Sequence, residues 1–137
     1  MHINPTSESF AAFRALPQDT PLHMLNLVRF RDWAAYEDRR KVTGAEAYAE
    51  YGRLSAPVLT RLGGSILWRG TFENTTIGPA DEHWDAIFIA HYPSAAAFLE
   101  MLRDPAYQEA VTHRTAAVAD SRLIRCGEAG SGAGFAG

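Results

Sequence analysis

The segment WDAIFIAHYP, Trp84 to Pro93, constrains this chain more than any other. Successive side chains of a strand point to opposite faces, so Trp84, Phe88 and Tyr92 share one face and Ile87 and Ile89 share the other. Both faces are apolar, so both must be covered. The first strand-like stretch, HMLNLVRFRD from His23, has the same character. Met24, Asn26, Val28 and Phe30 point one way, and Leu25, Leu27, Arg29 and Arg31 the other. A chain with such strands needs a layer of helices on one side of its sheet and something further on the other.

The helices are marked by their ends. PTSESFAAFRALP reads as a short N-terminal helix capped by Thr6 or Ser7 and ended by Pro17. TGAE, Thr43 to Glu46, is a capping box. From it Ala47, Tyr48, Tyr51, Leu54, Ser55, Val58 and Leu62 follow at helical spacing to Gly63-Gly64. Pro57 inside that run predicts a kink or break near Ser55. SILWRGTFENTTIG reads as a second strand, and Trp84 to Pro93 as a third. Ser94 caps SAAAFLEML, Asp104-Pro105 opens another helix, and SRLIRC is a last strand.

Apart from the extra N-terminal helix the order is β-α-β-β-α-β. That is the ferredoxin-like arrangement of an α+β domain, an antiparallel sheet with helices on one face. The expected organisation is a helical extension over 1–20, the α+β domain over 21–126 and a flexible Gly/Ala-rich tail over 127–137. One helical layer leaves one sheet face bare, and the simplest cover is a second copy of the chain, so a homodimer is expected.

Charge and composition exclude several partners. The net charge is −3, and the longest basic run is Arg39-Arg40-Lys41, which argues against a nucleic-acid partner. No stretch approaches the length of a membrane span, and the N-terminus lacks the features of a secretory signal, so a cytoplasmic protein is expected. The single cysteine, Cys126, is read as a small core residue. No histidine–carboxylate spacing suits a metal, and no phosphate-binding or nucleophile motif is present; neither metal nor cofactor is expected.

The segments HMLNLVRF, AYAEYGRLSAPVLTRLGG, HWDAIFIAHYPSAAAFLEMLRDPAY and DSRLIRC resemble the domain-of-unknown-function family 1330, within the dimeric α/β-barrel superfamily. The resemblance spans about Leu22 to Cys126 and implies two ferredoxin-like sheets closing into one barrel. Haem-degrading members of the superfamily are similar over HYPSAAAFLEMLRDPAYQEAV, and Asn26 matches an asparagine they use. Where they carry an axial histidine and a tryptophan, this chain has Val111 or its neighbours and Tyr92. His113 lies two positions on, about 200° around a helix, so the resemblance does not extend to haem.

Polar residues inside apolar strands are the remaining clue, because each must pair, reach solvent or meet a ligand. Arg31, Arg69 and Arg125 are read as reaching solvent, and Asp85 as pairing with an arginine of a neighbouring strand. His2, His23 and His83 flank elements and are read as exposed. Asn26 and Arg29, with Trp68 and Tyr51, are candidates to hold a small organic ligand; His91 and Tyr48 are candidates for proton transfer. Arg29 has a competing role as the ion-pair partner of Asp85 or Glu46. The expected function is a small-molecule-binding dimer, with cofactor-free proton transfer or oxidation of a small organic substrate as the chemistry if it is catalytic. Its rivals are a non-catalytic sensing or sequestering module and a purely structural dimer.

Overall fold

A computed structural model describes residues 1–137. Its elements are α1 (Ser7–Ala15), β1 (Leu22–Phe30), α2 (Gly44–Arg61), β2 (Ser65–Gly70), β3 (Ala86–Tyr92), α3 (Ala95–Arg103), α4 (Pro105–Ala117) and β4 (Val118–Cys126). The four strands form one antiparallel sheet in the order β2-β3-β1-β4. This is the expected ferredoxin-like α+β arrangement, with an additional helix at the N-terminus and two helices, α3 and α4, in the connection from β3 to β4.

Local chemistry fixes the helix ends. The Thr6 hydroxyl accepts from the Ser9 amide, and the Ser9 hydroxyl accepts from the Thr6 amide, which closes a capping box on α1. Thr43 accepts from the Glu46 amide at 3.1 Å. Asp104 ends α3 and caps α4, accepting from the amides of Ala106 and Tyr107. Helix α2 is followed by its C-cap Leu62 and then by Gly63, whose φ of 82° suits a residue without a side chain. It continues through Pro57 without a break. Pro57 and Arg53 are both exposed, so water can satisfy the carbonyl that proline leaves unpaired.

The core lies on the helix side of the sheet in two clusters. Leu22, Met24, Ala90 and Tyr92 of the sheet pack with Val58, Phe98, Met101 and Tyr107 of the helices. Val28 packs with Ala47, Ala117 and Val118. Phe88 touches both clusters. Asn26 pairs with Phe88 in register, so it sits at the seam between them.

Three expectations are corrected. The second strand stops at Gly70 rather than continuing to Ile77. Its partner β3 begins only at Ala86, because Asp85 turns back to β1: its amide donates to the Val28 carbonyl and its carboxylate accepts from the Phe30 amide. Asp85 thus caps backbone rather than pairing with an arginine. Cys126 is exposed rather than core, because β4 is an edge strand.

Candidate functional site

Residues directly opposite one another in a ladder share a face, so the register defines what each face presents. On the side away from the core, four rows run across the sheet. One is Ser65, His91, His23 and Cys126; the next is Trp68, Ile89, Leu25 and Ile124. Then come Gly70, Ile87, Leu27 and Arg122, and finally Arg29 beside Asp120. The middle rows form an apolar strip between polar margins. None of Leu25, Leu27, Ile87, Ile89 or Ile124 belongs to either core cluster. A bulge between Ile66 and Trp68 sets Leu67 and Trp68 together against Ile89, and these two side chains are 56% and 54% exposed.

This geometry divides the six candidate residues. Asn26, Tyr48 and Tyr51 lie on the helix side, and Arg29, Trp68 and His91 on the uncovered side. The sheet itself separates Asn26 from Arg29 and Tyr48 from His91. No single pocket holds all six.

On the helix side, tyrosines fill the layer between α2, α4 and the sheet. The Tyr51 and Tyr107 hydroxyls bond each other at 2.9 Å, which satisfies both. Tyr48 packs between Phe30 and Tyr51, with ring centroids 4.9 and 5.3 Å away, and its hydroxyl has no partner within the protein. The one sealed side-chain polar atom without a partner is His23 Nδ1, so the Tyr48 hydroxyl keeps contact with solvent. Burial raises the Tyr48 and Tyr51 phenols above their ordinary value. Asn26 donates from Nδ2 to the Met24 carbonyl at 3.0 Å, leaving its Oδ1 free to accept.

On the uncovered side, Arg29 reaches neither Asp85 nor Glu46. Its guanidinium lies 3.9 Å from Asp120, its cross-strand neighbour. His91 faces His23 with ring centroids 5.0 Å apart, and His23 Nε2 approaches Glu128 at 3.3 Å. His23 is therefore half-buried rather than exposed, a placement that only the cross-strand register reveals.

Asp120 is the centre of a latch that sequence reasoning did not find. Its Oδ1 accepts from the backbone amides of His2 and Ser121 and from Arg122, while Ser121 donates to the His2 carbonyl. The His2 amide, aided by Arg122, holds the Asp120 carboxyl down from 3.8 to about 2. Folded Asp120 therefore stays ionised where the unfolded residue protonates. The stabilisation is complete above about pH 4 and is lost as pH falls toward 2. After discounting for solvent screening, about 1–2 kcal/mol of unfolding free energy should disappear across that window. Asp120→Asn should flatten this part of the pH profile in urea titrations; an unchanged profile would assign the acid sensitivity to other carboxylates.

Two surface clefts stand out among five. One of about 390 Å³ lies within loop 33–41, and one of about 370 Å³ lies beside α1. Neither includes any of the six candidates.

A sequence profile described as "Domain of unknown function (DUF1330)" matches residues 38–126. The chain belongs to the DUF1330 family. Solved structures agree with the fold found for this DUF1330 chain. The RPA0582 protein of unknown function from Rhodopseudomonas palustris is 62% identical with a TM-score of 0.91, covering 95% of this chain and 98% of that one. Methylated RPA0582 gives 63% identity and a TM-score of 0.93, covering 96% and 97%. A dimeric protein of unknown function with a ferredoxin-like fold, from Bacteroides fragilis, is 10% identical with a TM-score of 0.51, covering 82% and 100%. That last likeness is one of fold. Comparison with curated proteins gives no match. No helix of the DUF1330 chain is long and apolar enough to cross a membrane.

Proposed function

We propose that this DUF1330 protein is a homodimeric small-molecule-binding domain. Two copies pair through the uncovered sheet face, and the ligand is held on the helix side, against Tyr48 and Asn26. The observation that carries this reading is the division of the candidate residues between the two faces. The uncovered face offers an apolar strip with polar margins, the composition of an interface between copies. The ferredoxin-like Bacteroides fragilis protein is described as dimeric, which is in keeping with a dimer here. The helix side offers a phenol donor and an amide acceptor at the seam of an apolar core, the composition of a small-molecule site.

Binding is favoured over turnover. A phenol is protonated at neutral pH and burial raises Tyr48 further, so it donates a hydrogen bond and does not act as a base. His91, the other proton-transfer candidate, lies across the sheet from it.

Acetophenone, an uncharged aromatic carbonyl, is a suitable probe. In an NMR titration it should shift the Asn26 side-chain amide and backbone amides of α2 near Tyr48. Tyr48→Phe should weaken binding about tenfold, the worth of one hydrogen bond. Asn26→Ala should abolish it while leaving the dimer intact, because Asn26 faces away from the pairing surface. Loss of the dimer in Asn26→Ala would make the residue structural, and shifts confined to other surfaces would remove the proposed ligand site.

A further inference from the structure

We propose that loop 33–41 forms a second site, independent of the pairing face, that binds small aromatic carboxylates. The cleft of about 390 Å³ in this loop falls within the roughly 300–1,000 Å³ usual for small-molecule sites. Its walls carry three cations, Arg39, Arg40 and Lys41, and two large rings, Trp33 and Tyr36, with no carboxylate among them. A ligand with an anionic head and an aromatic body matches that lining.

The charges are not equivalent. Arg40 is held by a two-pronged contact with Asp38, Nε to Oδ1 at 2.9 Å and NH2 to Oδ2 at 2.6 Å, and its guanidinium lies 4.2 Å above the Tyr36 ring. Arg40 is thus neutralised and fixed. Arg39 and Lys41 take part in none of the ion pairs of the structure, which leaves two uncompensated cations at the mouth. Lys41 Nζ lies 6.0 Å from the Trp33 ring centre, so a positive charge and an exposed aromatic surface stand together.

The loop is built to hold this shape. Its backbone is tied to α4 by the amides of Arg31 and Ala35, which donate to Ala117 and Ala116, each at 2.8 Å. The Ala34 amide donates to Val42 at 2.8 Å, and Trp33 bridges Thr43. The Tyr36 hydroxyl meets His113 Nδ1 at 2.5 Å, which fixes the ring that forms one wall. Arg39 alone among non-glycine residues has a positive φ, 58°. A backbone strained in a long charged side chain is a cost that ligand contact would justify. Such a rigid cleft loses little order on binding.

The test is an NMR titration of the full chain at fixed ionic strength with sodium benzoate, inorganic phosphate and benzyl alcohol. Benzoate should shift the amides of residues 33–41 and the Trp33 indole, saturating with a Kd of about 1 mM, as expected for so small a ligand. Phosphate and benzyl alcohol should each bind at least fivefold more weakly. Arg39→Gly keeps the φ and removes the guanidinium, so it should weaken benzoate at least fivefold with no fall in Tm. The proposal is overturned if benzoate leaves residues 33–41 unshifted or Arg39→Gly binds as tightly as the parent. Phosphate binding as tightly as benzoate would overturn the assigned ligand class. A failure of acetophenone to bind near Tyr48 would leave this site untouched, since the two share no lining residue.

Discussion

Leu25→Glu is expected to convert the proposed dimer into a folded monomer. Leu25 is central in the apolar strip, flanked by Ile89 on one strand and Ile124 on the other. In the single chain it is only half-buried and belongs to neither core cluster, so a carboxylate there stays hydrated and costs little. In the proposed pair it would lie under a second copy, with no cation in its row. Burying an unpaired charge costs about 3–5 kcal/mol, roughly a thousandfold in the dimerisation constant. Sedimentation equilibrium should give the 15.1 kDa chain mass for the variant and twice that for the parent, with matching far-ultraviolet circular dichroism. A dimeric variant of unchanged affinity would place the pairing surface elsewhere.

Gly44→Ala should be the most damaging of the glycine-to-alanine changes in this chain. Gly44 is the first residue of α2, where alanine is ordinarily better than glycine by up to about 1 kcal/mol. Here a Cβ would stand 2.0 Å from the Arg31 carbonyl oxygen and 2.9 Å from two other Arg31 backbone atoms. Both partners are backbone, so neither can rotate away. The clash outweighs the gain in helix propensity, and the net loss should be about 2–3 kcal/mol. A lower urea midpoint with an unchanged slope checks it. Because Gly44 and Asp32 are hydrogen-bonded at 3.3 Å, the same variant should also disturb the loop that forms the cleft. A stability equal to the parent's would mean that the two segments separate at little cost.

Much of the fold is legible because its signals are local. Thr43, Ser94, Asp104 and Pro105 mark helix starts by their own hydrogen-bonding chemistry, and each stands where it was expected to. Alternation along β1 also separates Asn26 from Arg29, which is enough to show that one pocket cannot hold both on a single face. What the sequence does not show is set by neighbours. The bulge at Leu67 decides which face Trp68 joins, and the row that brings His23 beside His91 and Cys126 depends on pairings between distant strands. The Asp120 latch unites the two ends of the chain, and no local pattern announces it. Gly44 reads simply as part of a capping box, while its need to be glycine comes from Arg31, thirteen positions away. The cleft's basic run and its two rings stand in the sequence, but their meeting in one cleft, the positive φ of Arg39 and the ties to α4 are consequences of folding.

The measurement nearest to the central claim is the exposure of individual methyl groups on the sheet. With a soluble paramagnetic agent added to methyl-labelled parent protein, the signals of Leu25, Leu27, Ile87, Ile89 and Ile124 should be protected as strongly as those of Leu22 and Val28. In Leu25→Glu the remaining four should broaden. If the parent's own strip broadens while the protein stays folded, the sheet is bare in solution and no second copy lies over it.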